Sequence, residues 1–128
     1  MKANELMIGN WVTGKKWKEL PFKITHINDS GKYYYGITAE GSRVGPFLIE
    51  ELQPIPLTSE ILEKNGFTRF GTDYILEGER FGLENPSDPR NYLDNYWLRV
   101  SIRAVHIEYV HELQHALRLC KIEKEIEL

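Results

Sequence analysis

Apolar and polar positions change rhythm along the chain, and each rhythm predicts an element. From 96 to 103 the alternation is strict. Tyr96, Leu98, Val100 and Ile102 take one face, and Trp97, Arg99, Ser101 and Arg103 the other, which predicts a strand. From 105 to 120 the spacing lengthens to that of a helix. On a wheel advancing about 100° per residue, His106, Tyr109, Val110, Leu113, Leu117 and Cys120 fall within one arc, with Ala116 just outside it. That arc is the expected buried stripe. His111 and His115 fall close to the opposite side, where water is expected. Residues 121–128 could prolong the helix or form an edge strand; Ile122, Ile126 and Leu128 alternate with charges, which favours a short strand.

The front of the chain is punctuated more often. Residues 8–12, Ile-Gly-Asn-Trp-Val, predict a turn feeding a strand. Residues 22–27 are rich in β-branched residues and end in the turn string Asn28-Asp29-Ser30-Gly31. Residues 32–38 are the hairpin partner, carrying Tyr33, Tyr34 and Tyr35. Residues 43–52 follow Glu40-Gly41-Ser42 as a further strand, bent at Gly45-Pro46 because proline cannot donate to a ladder. Four short strands, each closed by turn chemistry, predict a small antiparallel barrel. The opening Gly-Asn-Trp-Val and this strand rhythm resemble SH3-like barrels.

Pro54-Ile55-Pro56 breaks the chain between its two halves. Thr58 is a good N-cap for a helix over 59–64, with Glu60 in the first turn and Asn65-Gly66 ending it. A hairpin, 67–70 and 74–77, turns around Gly71-Thr72-Asp73, and 81–83 is a weaker third strand. Residues 84–95 form a polar loop. The expected fold class is therefore α+β. An SH3-like β-barrel subdomain covers 1–53, and an α+β subdomain covers 54–128, with helix 59–64, strands in 67–83 and 96–103, and helix 105–120.

Composition narrows the function classes. The chain has 128 residues, 41% apolar and 27% charged, as expected of one folded domain or two very small ones. No apolar run reaches membrane-spanning length, and no membrane partner is expected. A single cysteine excludes an internal disulfide framework and suits a reducing compartment, so a cytoplasmic location is expected. Cys120 lies on the apolar stripe and is expected to be a buried, inert thiol. The net charge of −3 divides unevenly: residues 1–56 are slightly positive and 57–128 negative. Neither half carries the cationic excess of a tight phosphate binder, so nucleic-acid binding is expected to be weak at most.

The clearest chemical signal is His111-Glu112-Leu113-Gln114-His115, which fits the H-E-x-x-H pattern of zinc peptidases. A catalytic zinc needs three protein ligands and a closed, shaped site. The pattern supplies two histidines on a face expected to be solvated. Positions that would carry a metzincin Gly and third His hold Arg118 and Lys121. The favoured reading is a helix face bearing two histidines and a glutamate, with no metal, no cofactor and no catalytic residue. His111 and His115 would be metal ligands only if the zinc reading held. There is no Gly-rich phosphate loop, C-x-x-C pair or G-x-S-x-G elbow.

Two features suit binding instead. Lys15, Lys16, Trp17 and Lys18 place cations beside an indole, which suits a nucleic-acid backbone with base stacking and equally a solvated hairpin tip. In the tyrosine run, alternation sends Tyr34 to the side opposite Tyr33 and Tyr35. Tyr34 is taken with the lysine loop as the candidate binding surface.

The segments Lys2-Ala3-Asn4-Glu5-Leu6, Ile8-Gly9-Asn10-Trp11-Val12, Pro54-Ile55-Pro56-Leu57-Thr58 and Tyr109-Val110-His111-Glu112-Leu113-Gln114 resemble a group of short proteins of gut Bacteroidetes and their phages and prophages. In that group Asn commonly stands where His115 is, so the second zinc-type histidine departs from the pattern. The group has no established activity. The resemblance implies a phage or mobile-element accessory protein, and with it a non-enzymatic module that binds another protein. Weak nucleic-acid binding through the lysine loop is the alternative, and a zinc peptidase the third reading.

Overall fold

A computed structural model describes residues 5–16, 20–71, 73–76, 78, 81–84, 96–100 and 103–128. The chain is mixed α+β, with two antiparallel five-stranded sheets and a C-terminal helix. It divides into two compact units, Met1–Ile55 and Pro56–Leu128, with the seam inside the Pro-Ile-Pro string.

The first unit contains β1 (Trp11–Gly14), β2 (Phe22–Asn28), β3 (Tyr33–Thr38), β4 (Arg43–Leu48) and β5 (Leu52–Pro54). Their order across the sheet is β4-β3-β2-β1-β5. No ladder joins β4 to β5 among the described residues, so the barrel expected at 1–53 is an open sheet by pairing. The strand expected over 43–52 stops at Leu48. A 3-10 turn, Ile49–Glu51, redirects the chain, and β5 pairs with β1. Leu6, Val12, Phe22, Ile24, Tyr34 and Leu52 form the core of this unit.

Two bulges decide which residues reach that core. In β2, Ile24 pairs with Gly36 and His26 with Tyr35, so Thr25 is the extra residue. In β4, Val44 pairs with Gly36 and Phe47 with Tyr34, so one extra residue falls within Gly45-Pro46. Both bulges need glycine neighbours. A Cβ on Gly36 would lie 2.3 Å from the Phe22 ring and 2.7 Å from the Lys23 carbonyl. Gly45 has φ +118°, and a Cβ there would lie 2.8 Å from the Tyr34 carbonyl.

The second unit opens with α1 (Ser59–Lys64), where the capping signals placed it. The Thr58 hydroxyl accepts from the Ile61 N–H at 3.3 Å, and Gly66 (φ 89°) follows the end of the helix. Next come β6 (Phe67–Phe70), β7 (Asp73–Leu76), β8 (Phe81–Glu84), β9 (Tyr96–Val100) and β10 (Arg103–Ile107), paired in chain order as a meander. The helix α2 (Val110–Leu119) closes the unit.

The single strand expected over 96–103 is the first arm of a hairpin, and β10 is the second, with Val105 opposite Leu98. The helix expected from 105 therefore starts five residues later. His106, assigned to the helical stripe, lies on a strand. A five-residue stretch of mixed apolar and polar positions fits either period, and only the pairing with β9 decides between them.

The C-terminal end of the helix falls within one residue of the expected 120. The Ile122 N–H donates to the Leu117 carbonyl at 2.9 Å and the Lys121 N–H to the Arg118 carbonyl at 3.0 Å. With Lys121 left-handed at φ 58°, this is a Schellman stop. Glycine usually marks that position; here lysine takes it. Cys120, expected on the buried stripe, is exposed; it caps the helix, its N–H donating to the Ala116 carbonyl at 3.0 Å.

The tail, 121–128, is not the short strand its alternation suggested; its residues join no ladder. Buried Asn65 holds it instead. The Asn65 amide donates to the Glu127 carbonyl and accepts from the Glu127 N–H, both at 2.7 Å, as a neighbouring strand would. The same amide nitrogen donates to the Ile61 carbonyl at 2.7 Å. This seats Ile126, 2% exposed, in the core. Asn65→Ala removes all three bonds, and a loss of about 1–3 kcal/mol is expected in urea unfolding. Amide exchange at residues 126–128 should rise selectively, and unchanged exchange there would refute the clamp.

Candidate functional site

A cleft of about 510 Å³ opens on the first unit. The end of β1 supplies Gly14, Lys15 and Lys16. The bulge of β4 supplies Gly45, Pro46 and Phe47, and the 3-10 turn supplies Glu50 and Glu51. Local bonds hold these pieces. The Lys15 N–H donates to the Glu51 carbonyl at 2.8 Å, tying the end of β1 to the turn. The Glu51 carboxylate accepts from the Leu48 N–H at 3.2 Å, fixing the turn's entry. Phe47 packs on the core and stacks on Phe22, with centroids 5.0 Å apart and planes inclined by 17°. Pro46 and Phe47 thus provide an apolar surface, with two lysines and two glutamates, all exposed, around it. Among the described residues the lining offers no hydroxyl, thiol or imidazole. It is suited to holding an apolar group between charges.

Of the expected binding surface, Lys15 and Lys16 line this cleft. Trp17 and Lys18 lie outside the described residues. Tyr34 requires a correction. It is fully buried, in the core of the first unit, and burial raises its phenol pKa above the ordinary value. Alternation separated Tyr34 from its neighbours correctly, but the outward pair is Tyr33 and Tyr35. Pro46, Phe47, Glu50 and Glu51 escaped the sequence reading. The Gly45-Pro46 bend was visible there, but the approach of 45–51 to 14–16 is non-local.

The H-E-x-x-H segment also differs from expectation. His111 is 2% exposed rather than solvated, and His115 is half-buried. The wheel treats a helix as a uniform rod, but His111 sits in its first turn. There the incoming chain covers it: the Tyr109 ring stacks on it at 5.9 Å, inclined by 9°, and His115 meets it edge-on at 5.8 Å. Glu112 is occupied as well. Its carboxylate accepts from the N–H groups of Glu108 at 3.0 Å and Tyr109 at 2.9 Å, the N3 half of a capping box. No group of three or more His, Cys, Asp or Glu suited to a metal occurs among the described residues. Nor is any helix among them long and apolar enough to cross a membrane.

No family model, curated protein or solved structure matches the chain.

Glu112→Ala should cost about 0.5–2 kcal/mol of stability, as loss of a helix cap does. Protein purified without an affinity tag should hold under about a tenth of an equivalent of zinc by elemental analysis. A full equivalent, lost in His115→Ala without unfolding, would restore the metal reading.

Tyr109 gives a pH signature. Burial, then the charges of Glu108 and Glu112, then a hydrogen bond to Glu108 hold its phenol above the ordinary value. The folded state therefore keeps a proton that the unfolded state releases near pH 10. Stability from this source is complete below about pH 10 and falls as pH rises towards the folded pKa. Tyr109→Phe should flatten that decline in urea unfolding followed across the range, and an unchanged slope would exclude Tyr109 as its source.

Proposed function

We propose that the protein is a non-enzymatic interaction module whose cleft at Lys15, Lys16, Pro46, Phe47, Glu50 and Glu51 takes an apolar side chain of a partner polypeptide. The observation that carries this reading is the cleft itself: an apolar surface ringed by exposed charges of both signs. Apolar contact would supply affinity, and the charges would select the residues flanking the anchor. An SH3-like architecture for the first unit is part of the proposal. It is supported by the order β5-β1-β2-β3-β4 and by the 3-10 turn between the last two strands. A role as a cytoplasmic accessory factor of a phage or mobile element rests on the sequence resemblance alone.

Selection from a random peptide library tests the reading. Enriched peptides should share one apolar anchor flanked by charges and bind with a Kd on the order of 1–100 µM, as small transient interfaces do. Lys16→Glu and Glu50→Lys, both at exposed positions, should each weaken that binding about tenfold or more. A library that yields no binder, or binders indifferent to both variants, would remove the cleft from consideration.

A further inference from the structure

The outward face of β2, β3 and β4 is a surface separate in composition from the cleft. Lys23, Ile37 and Arg43 form one row across the three strands. His26 and Tyr35 form the next pair, and Tyr33 lies further along β3. Phe22, Ile24 and Tyr34 point the other way, into the core. His26 and Arg43 are exposed, and Lys23, Tyr33, Tyr35 and Ile37 are half-exposed. Exposed Lys32 holds its ammonium 5.4 Å from the Tyr33 ring, and His26 meets the Tyr35 ring at 5.7 Å in a T-shaped contact. The three strands contain no aspartate or glutamate.

We propose that this face binds single-stranded nucleic acid, with bases stacking on Tyr33 and Tyr35 and phosphates meeting Lys23, Lys32 and Arg43. Two tyrosines two residues apart on one strand stand about 7 Å from each other, room for one base over each ring. The cations lie to either side of the tyrosines, so a chain whose bases stack there runs its phosphates past them. Strands without acidic side chains fit a polyanion, and the aromatic rings fit one that carries exposed π-faces. Three phosphate contacts make the binding modest, in keeping with the net charge of −3. They also set its salt dependence: log K should fall with log salt at a slope of about −2 for a single strand.

Fluorescence anisotropy with the full chain tests this, using labelled oligo-dT and oligo-U of about 12 nucleotides at about 50 mM salt. Binding of either, with the shallow slope above, is expected, and the tighter of the two assigns DNA or RNA. A duplex of equal length should bind at least about tenfold more weakly, since its bases offer no free faces. Tyr35→Ala should weaken single-strand binding about tenfold, and Tyr35→Phe should restore it. The triple variant Lys23→Ala/Lys32→Ala/Arg43→Ala should abolish the salt dependence, and Lys15→Ala/Lys16→Ala should leave affinity within about twofold. Arg43→Glu, at an exposed position, decides the matter if Tyr35→Ala does not fold. No binding by about 200 µM protein, equal binding of duplex or of polyglutamate, or loss only in the Lys15/Lys16 variant would each overturn the proposal.

Discussion

Close approach of β4 to β3 at Gly45 is the constraint from which both surfaces of the first unit follow. The backbone passes so near Tyr34 and Tyr35 that a side chain at 45 would collide with them. The extra residue accommodated there reverses the alternation of β4. Without it, Pro46 would face the core and Phe47 the solvent, because a shift of one residue exchanges the faces of a strand. With it, Phe47 pairs opposite Tyr34, stacks on Phe22 and forms part of the cleft, while Arg43 stays outward beside Ile37. The bulge in β2 acts in the same sense. It turns His26 out beside Tyr35 and returns Ile27 to the core. In β2 and β3 the sheet thereby buries one face and leaves the other at least partly exposed.

The second unit illustrates how a catalytic pattern can arise from the demands of a helix start. A helix leaves its first N–H groups without intrahelical partners, and a glutamate three residues into it can accept from them. Glu112 does so. His111 is covered by the residue that enters the helix: its ring stacks on Tyr109 and meets His115 edge-on. Each fixed letter of the five-residue match therefore has a structural occupation. The tail relies on a related substitution of roles. Asn65 presents a side-chain amide where a strand would present a peptide group, so Ile126 is buried without a ladder.

How much of this was legible beforehand can be argued residue by residue. Thr58, Asn65 and Gly66 announced α1 and its limits because capping is decided by adjacent residues. The turns at Asn28-Asp29-Ser30-Gly31 and Glu40-Gly41-Ser42 announced the β2–β3–β4 meander for the same reason. The boundary between β10 and α2 was not legible. The run 103–107 carries an apolar rhythm that strand and helix share, and its partner, β9, settles the matter by pairing. The end of α2 fell within one residue of its expected place, although Lys121 stands where glycine usually closes a helix.

The amino-acid order by itself determined the α+β class, the first short helix, the β2–β3 and β6–β7 hairpins and the separation of Tyr34 from Tyr33 and Tyr35. These depend on period, caps and turns, all of which act over a few residues. Only the tertiary structure decided which side of that separation is buried, where β4 breaks its alternation, and which distant residues meet Lys15 and Lys16. Those outcomes depend on the pairing of strands and on how closely two backbones can approach, and neither is written in any single stretch of the chain.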